Sequence, residues 1–274
     1  MLLATRERPI MRARRLIQRT GLLSAVVANL LVWSSLSDAA PPWVERPSTL
    51  PRGHWAFDFG FGIGHVRGAT GPGFNIEGAA GVTSQIQLGL RTGMRVGSEA
   101  ESARADWYGR PFETETYGTG RDPMANPELY IRGAVVRGDV ADVALEGRIY
   151  VPFESGTHFG MMFGVPLMFH LGDIARIDTG VYVPVVTSDP VQTYVSFPLH
   201  VWFQVNREIW LGPILGVQIE SPGSRVHVPL GFGFGYSLTR YLDLKTWLLF
   251  PQIERSGGAG DMWGVGVGIQ VRIE

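Results

Sequence analysis

The chain has 274 residues, with 24 Lys and Arg against 25 Asp and Glu for a net charge of −1, and no basic run that would give the electrostatic footprint of a nucleic-acid binder. It has no cysteine, which excludes disulfides, thiolate metal sites, cysteine nucleophiles and lipid attachment through a thiol. Hydrophobic residues make up 45% of it, yet no apolar run is long enough for a lipid-spanning helix; a membrane protein without such helices must be a closed barrel, because every backbone polar group in hydrocarbon has to be paired.

The N-terminus is read first. Arg12, Arg14, Arg15 and Arg19 precede an apolar run from Gly21 to Trp33, followed by the small residues Ser37, Ala39 and Ala40. That order is the pattern of a secretory signal peptide, and the apolar run is short of the roughly 18 residues a spanning helix needs. Residues 1–40 are therefore expected to be removed near Ala39 or Ala40, leaving 41–274 as one domain.

From Trp55 onward, apolar residues alternate with polar residues or glycine for ten to thirteen positions at a time, each stretch closed by a turn. Period two means strand. The end of the chain shows it most clearly: Trp263, Val265, Val267, Ile269, Val271 and Ile273 alternate with Gly264, Gly266, Gly268, Gln270, Arg272 and Glu274. About twelve such stretches occur, near 54–64, 74–82, 86–96, 128–137, 142–153, 158–170, 174–186, 191–205, 208–219, 225–238, 241–252 and 261–273. Strands of a soluble sandwich average about half that length, whereas nine to eleven tilted residues cross a bilayer. The pattern predicts an all-β fold, a transmembrane antiparallel β-barrel of about 12 strands.

The connections agree with this. Keeping the apolar face continuous across each hairpin requires tight turns at Thr83-Ser84-Gln85, Asn206-Arg207-Glu208 and Thr239-Arg240-Tyr241, all after even-numbered strands and hence on the periplasmic side. The long connection, 97–127, follows the third strand and belongs at the outer mouth. Trp55, Phe153, Phe159, Phe203, Tyr236, Phe250 and Trp263 fall near strand ends on the apolar face, as an interfacial girdle requires.

Two stretches carry a family resemblance: the strand-turn-strand AAGVTSQIQLGLRTG at 79–93, and ANPELYIRG at 125–133 opening the strand after the long loop. In these the chain resembles the porin-like outer-membrane transporters associated with meta-pathway phenol degradation. The resemblance implies a barrel of about this strand number and an uptake role. The ending Arg272-Ile273-Glu274 departs from the terminal aromatic residue usual in barrels recognised by the insertion machinery.

With apolar positions facing lipid, their alternates face the lumen. These include the charged residues Asp58, Glu77, Arg91, Arg95, Glu128, Arg132, Glu146, Arg148, Arg176, Asp178, Asp243 and Lys245. Hairpin pairing sets Glu77 opposite Arg91 and brings Arg132 close to Glu146. Charges at bilayer depth must be paired or hydrated, so they form either a wet channel lining or a salt-bridged plug. Tyr182, Tyr194, Trp202, Trp210 and Trp247 also project inward, as one wall of a selective path or as interior packing. Glycines at 60, 62, 64, 231, 233, 235, 264, 266 and 268 share that face, leaving space or easing curvature.

No catalytic site is expected. Ser196 and His200 are two lumen positions apart on one strand, too far for direct contact, and His158 and His170 lie at opposite ends of theirs. The histidines lack ligand spacing, so no metal or cofactor is expected either. The reading is an outer-membrane channel or porin passing small solutes. Its partners are outer-membrane lipid and lipopolysaccharide, the barrel-assembly machinery and the solute. The alternatives are a structural or assembly barrel with a sealed lumen, or a lipid-modifying enzyme acting at the rim.

Overall fold

A computed structural model describes residues 41–66, 69–95, 126–153, 158–187, 191–221, 226–253 and 262–274. The expected signal peptide and nearly all of the 97–127 loop lie outside the described residues. The strands are β1 (Trp55–Val66), β2 (Ala69–Gly81), β3 (Ile86–Arg95), β4 (Glu128–Val136), β5 (Ala141–Tyr150) and β6 (Gly160–Leu171). They continue with β7 (Ala175–Val186), β8 (Gln192–Gln204), β9 (Ile209–Ser221), β10 (Leu230–Thr239), β11 (Leu242–Phe250) and β12 (Met262–Ile273).

Each strand pairs antiparallel with its neighbours in sequence, and β12 pairs with β1 from Trp55↔Ile273 to Val66↔Met262, closing the sheet. The result is a closed antiparallel barrel of twelve staves with no free edge. Closure is what lets a sheet sit in hydrocarbon. Val226–His227 pairs with the far end of β9 and runs towards β10. The break between the two falls at Val228-Pro229, where the proline has no N–H for the ladder.

Strand limits follow the alternation to within a few residues. The largest difference is β2, which begins at Ala69 and not near 74. Gly71, Pro72 and Gly73 read as turn residues, yet they pair with Gly64, Ile63 and Gly62 of β1. Among the described residues, pairing of β2 with β3 runs from Gly81↔Gln87 to Gly73↔Arg95.

One end of the barrel, called the lower end here because β1 starts and β12 finishes there, has only short turns. Three of them are tied by a Thr or Asn side-chain oxygen. Thr83 Oγ1 accepts from the N–H groups of Gln85 and Ile86 (3.1 and 2.9 Å), and Asn206 Oδ1 from those of Glu208 and Ile209 (3.0 and 2.8 Å). Thr239 Oγ1 accepts from Tyr241 N–H at 3.1 Å. These are the turns that face continuity requires, and Thr and Asn are the residues able to close them locally.

The outer surface is apolar. Val267 on β12 is 55% exposed and its neighbours Gly266 and Gly268 are buried, and the same alternation runs through every strand. A band of exposed Leu, Ile, Val and Phe around a closed barrel is the surface that suits lipid. Trp55, Phe153, Phe159 and Phe203 stand exposed at strand ends, at the girdle level.

Candidate functional site: an occupied lumen

The inward side of the barrel holds three ionic clusters. On β2–β5, Arg132 donates to Glu146 (2.7 Å), which also accepts from Arg148 (3.1 Å), and Arg148 pairs in turn with Glu128. Glu77 accepts from the Tyr130 hydroxyl at 2.7 Å and stands opposite Arg91 in the β2–β3 register. On β10–β12 and β1, Lys245 binds Asp58 at 2.9 Å, Gln270 donates to the same carboxylate at 2.7 Å, and Arg272 reaches Asp243 at 3.2 Å. On β7 and β8, Arg176 and the Trp202 indole N–H both donate to Asp178 Oδ2, at 2.8 and 2.9 Å.

Burial decides between a hydrated lining and a packed one in this state. Asp243 is 0% exposed, and Arg91, Glu128 and Arg148 are 2% exposed. Charges this enclosed are sustained by one another and not by water. Arg95 closes β3 opposite Gly73, its side chain outside the described set, and Tyr194 is half-buried on β8 opposite Glu220.

What fills the lower lumen is the chain's own N-terminal segment. Residues 41–50 run inside the barrel as an aperiodic stretch with one short 3-10 turn, Trp43–Glu45, and 51–54 turn at the lower end into β1. Trp43 stacks on Trp210, with centroids 4.8 Å apart and planes 2° from parallel, and meets Trp202 edge-on at 6.4 Å. Arg46, Arg176 and Lys245 place cationic groups 5.1, 4.7 and 5.2 Å from the Trp43 ring. Such contacts gain strength when desolvated. Arg46 forks onto Asp243 with bonds of 2.6 and 3.1 Å and donates to Ser237 Oγ at 3.0 Å.

Part of the barrel's hold on the segment comes from the second residue of its upward strands. Gln87, Asp142, Arg176, Trp210 and Asp243 are each the second residue of β3, β5, β7, β9 and β11, and all five touch the segment. They form a ring at one depth. Of these, sequence reasoning had picked out Arg176, Trp210 and Asp243; it missed Gln87 and Asp142, along with the segment itself.

The inward aromatics separate into two groups. Trp202, Trp210 and Trp247 cluster with Trp43, Val44, Ile214 and Leu249, whereas Tyr182 packs with Tyr150, Met162 and Val186. The glycines of this face are what let these rings lie against the wall. A Cβ on Gly235 would stand 2.1 Å from the Trp210 ring, one on Gly266 2.2 Å from Trp247, and one on Gly164 2.4 Å from Tyr182. Each of these glycines is the direct cross-strand neighbour of the ring that covers it. The space they leave is filled by indole and phenol.

A cavity of about 270 Å³ remains beside the segment. Its floor includes Trp55, Arg240 and Glu274 at the strand ends, and its upper part Asp178, Tyr182 and Pro198 at mid-depth, with Trp43, Arg46 and Ser48 forming one side. Among the described residues no group of three or more His, Asp or Glu is gathered as metal ligands. Ser196 and His200 remain four residues apart on β8, both inward, and His170 binds the Val44 carbonyl at 2.7 Å through Nδ1, which must carry the proton because a carbonyl only accepts.

The fold defines a class, the closed twelve-stranded antiparallel β-barrel. Comparison with solved structures agrees with it. The chain is similar to the NanC porin (TM-score 0.59, 7% identity, 79% of this chain and 100% of that one) and to the KdgM porin (0.55, 6%, 80% and 99%). It is also similar to an outer membrane channel from Pseudomonas putida F1 (0.57, 10%, 86% and 100%). At such identities the likeness is one of fold. No family model matches the chain, and no curated protein matches it in sequence.

Proposed function

We propose that this protein is an outer-membrane channel for small solutes whose lumen, in the state described, is closed by residues 41–51. The observation that carries the reading is the cavity of about 270 Å³, which starts at the strand ends and climbs the barrel interior alongside the segment. That is close to the size of a small-molecule site. The buried charged residues of the three ionic clusters, together with Trp202, Trp210, Trp247 and the tyrosines, are its lining once the segment moves aside. The fold it shares with two porins and an outer membrane channel supports the reading. The stretches 79–93 and 125–133 point towards the meta-pathway phenol-degradation transporters among such proteins.

In this reading residues 1–40 direct export and are removed. The assembly machinery inserts the barrel with its lower end in the periplasm, and lipopolysaccharide meets the opposite rim. Recovery of the protein in the outer-membrane fraction at the mass of residues 40–274 or 41–274 checks this.

The sealed-lumen alternative draws on the near-zero exposure of Asp243, Glu128 and Arg148. Planar-bilayer recording separates the two. The full chain should open briefly. The Trp43→Ala/Arg46→Ala variant, which loses the stacked indole and the Asp243 fork, should raise the open fraction by at least about tenfold, equivalent to roughly 1.4 kcal/mol off the closed state. Folded protein that passes no current in either form makes the barrel a sealed one.

A further inference from the structure

The side chains that hold residues 43–50 reveal what the lumen recognises. A closed barrel spends its strand N–H and C=O groups on its own ladders, so a chain lying inside must be held by side chains. Seven wall residues do this: Gln87, Arg132, Arg137, Asp142, His170, Arg176 and Gln204, carried by β3 to β8 and the turn after β4.

Their targets are main-chain atoms. Gln204, Asp142 and Gln87 accept from the N–H groups of Val44, Ser48 and Leu50 at 3.3, 2.9 and 2.9 Å. Arg176 donates to the carbonyls of Trp43 and Arg46 (2.8 and 3.4 Å), His170 to Val44, Arg132 to Ser48 (3.3 Å) and Arg137 to Thr49 (3.2 Å). Three N–H and five C=O groups are therefore met by seven separate side chains. By contrast, identity is tested chiefly at two places, the indole of Trp43 and the guanidinium of Arg46. Main-chain bonds supplying affinity and a few pockets supplying selectivity is how extended peptides are recognised elsewhere.

We propose that the barrel lumen is a peptide-binding site, that residues 41–51 are its resident occupant, and that short peptides with an aromatic residue three positions before a cationic one are the solute class. The permeation part rests on the channel reading above; the binding part does not. Prolines suit this site, because Pro42, Pro47 and Pro51 bring no N–H that the wall would have to satisfy.

The test uses the full chain carrying Trp43→Ala/Arg46→Ala, whose heat-modifiable mobility and far-ultraviolet spectrum report that the barrel is folded. A synthetic peptide with the sequence of residues 41–51 is titrated calorimetrically. Saturable one-to-one binding is expected, at least about tenfold tighter than to the wild-type chain, whose site is filled. N-methylation of the peptide at the positions of Val44, Ser48 and Leu50 should weaken binding at least about tenfold, since three donors are lost. Equal binding by the methylated peptide, or no binding to the folded variant, overturns the peptide site even where the barrel conducts. Liposome swelling then compares tetrapeptides with an aromatic first and a cationic fourth residue against sugars of similar mass. Faster peptide entry supports the solute class, and equal entry overturns it. A variant that binds the peptide but carries no current rejects the channel reading and leaves the binding site standing.

Discussion

The two halves of the lumen hold the same segment by opposite means. From β3 to β8 the wall is polar and holds main-chain atoms with single hydrogen bonds spread over many residues. From β9 to β12 it is a surface of indole rings laid over glycines, with one carboxylate, Asp243, serving two guanidiniums. The first half distributes its hold, so that each contact is worth about 1 kcal/mol net. The second concentrates it, and a single substitution there reaches several partners at once. A polar wall gives recognition that tolerates different side chains, and an aromatic, charged wall gives the grip.

The sharpest way to break this comparison is Asp243→Ala. It takes from Arg46 and Arg272 their shared carboxylate, and removing one partner of a buried ion pair costs about 3–5 kcal/mol. Denaturant unfolding of the refolded protein in detergent should show that loss. A drop below about 1 kcal/mol would mean the two halves are equivalent. Next in size is Trp43→Ala, which removes the stacked indole from between Trp210 and the overlying cations for about 3 kcal/mol. The loss falls on the segment and not on the barrel. Cleavage after Glu45 by a glutamate-specific protease should therefore accelerate by about 100-fold, while the unfolding midpoint of the strands stays put. Acceleration confined to a few-fold would show that the polar half alone seats the segment.

What the sequence reveals here depends on whether a relation is local. Strand faces follow from period two, and the turns at 83–85 and near Gly138 fix register, which is why Glu77↔Arg91 and Arg132↔Glu146 are legible in the sequence. Gly235 pairs with Trp210, and Gly266 with Trp247, across the longer connections at 222–229 and 251–261, which set no register locally. Each glycine alone is equally consistent with curvature, space or a covering ring. The segment 41–54 was the least legible part because it has no period to read. Its signal lay in composition: Trp43 and Val44 among four prolines are too apolar for a hydrated tail. The ring of second residues on the odd-numbered strands was also present in the sequence, but it acquires meaning only once something is found inside it.

The smallest effect probes how the glycine wall supports the grip. In Gly235→Ala the new methyl would lie 2.1 Å from the ring of Trp210, and the ring, pinned from its other side by Trp43, has to tilt. Overpacking of this kind costs about 1–3 kcal/mol. Because the tilted ring no longer offers a parallel face to Trp43, part of that cost passes to the segment, and protease cleavage after Glu45 should rise by about tenfold. Gly133→Ala is the matched control, since nothing lies within 4 Å of its Cβ position, and an unobstructed substitution of this kind changes stability by about 0.5 kcal/mol or less. If both glycines respond alike, the loss does not come from the ring above Gly235. The aromatic half would then owe its shape to the strands and not to the glycines beneath its rings.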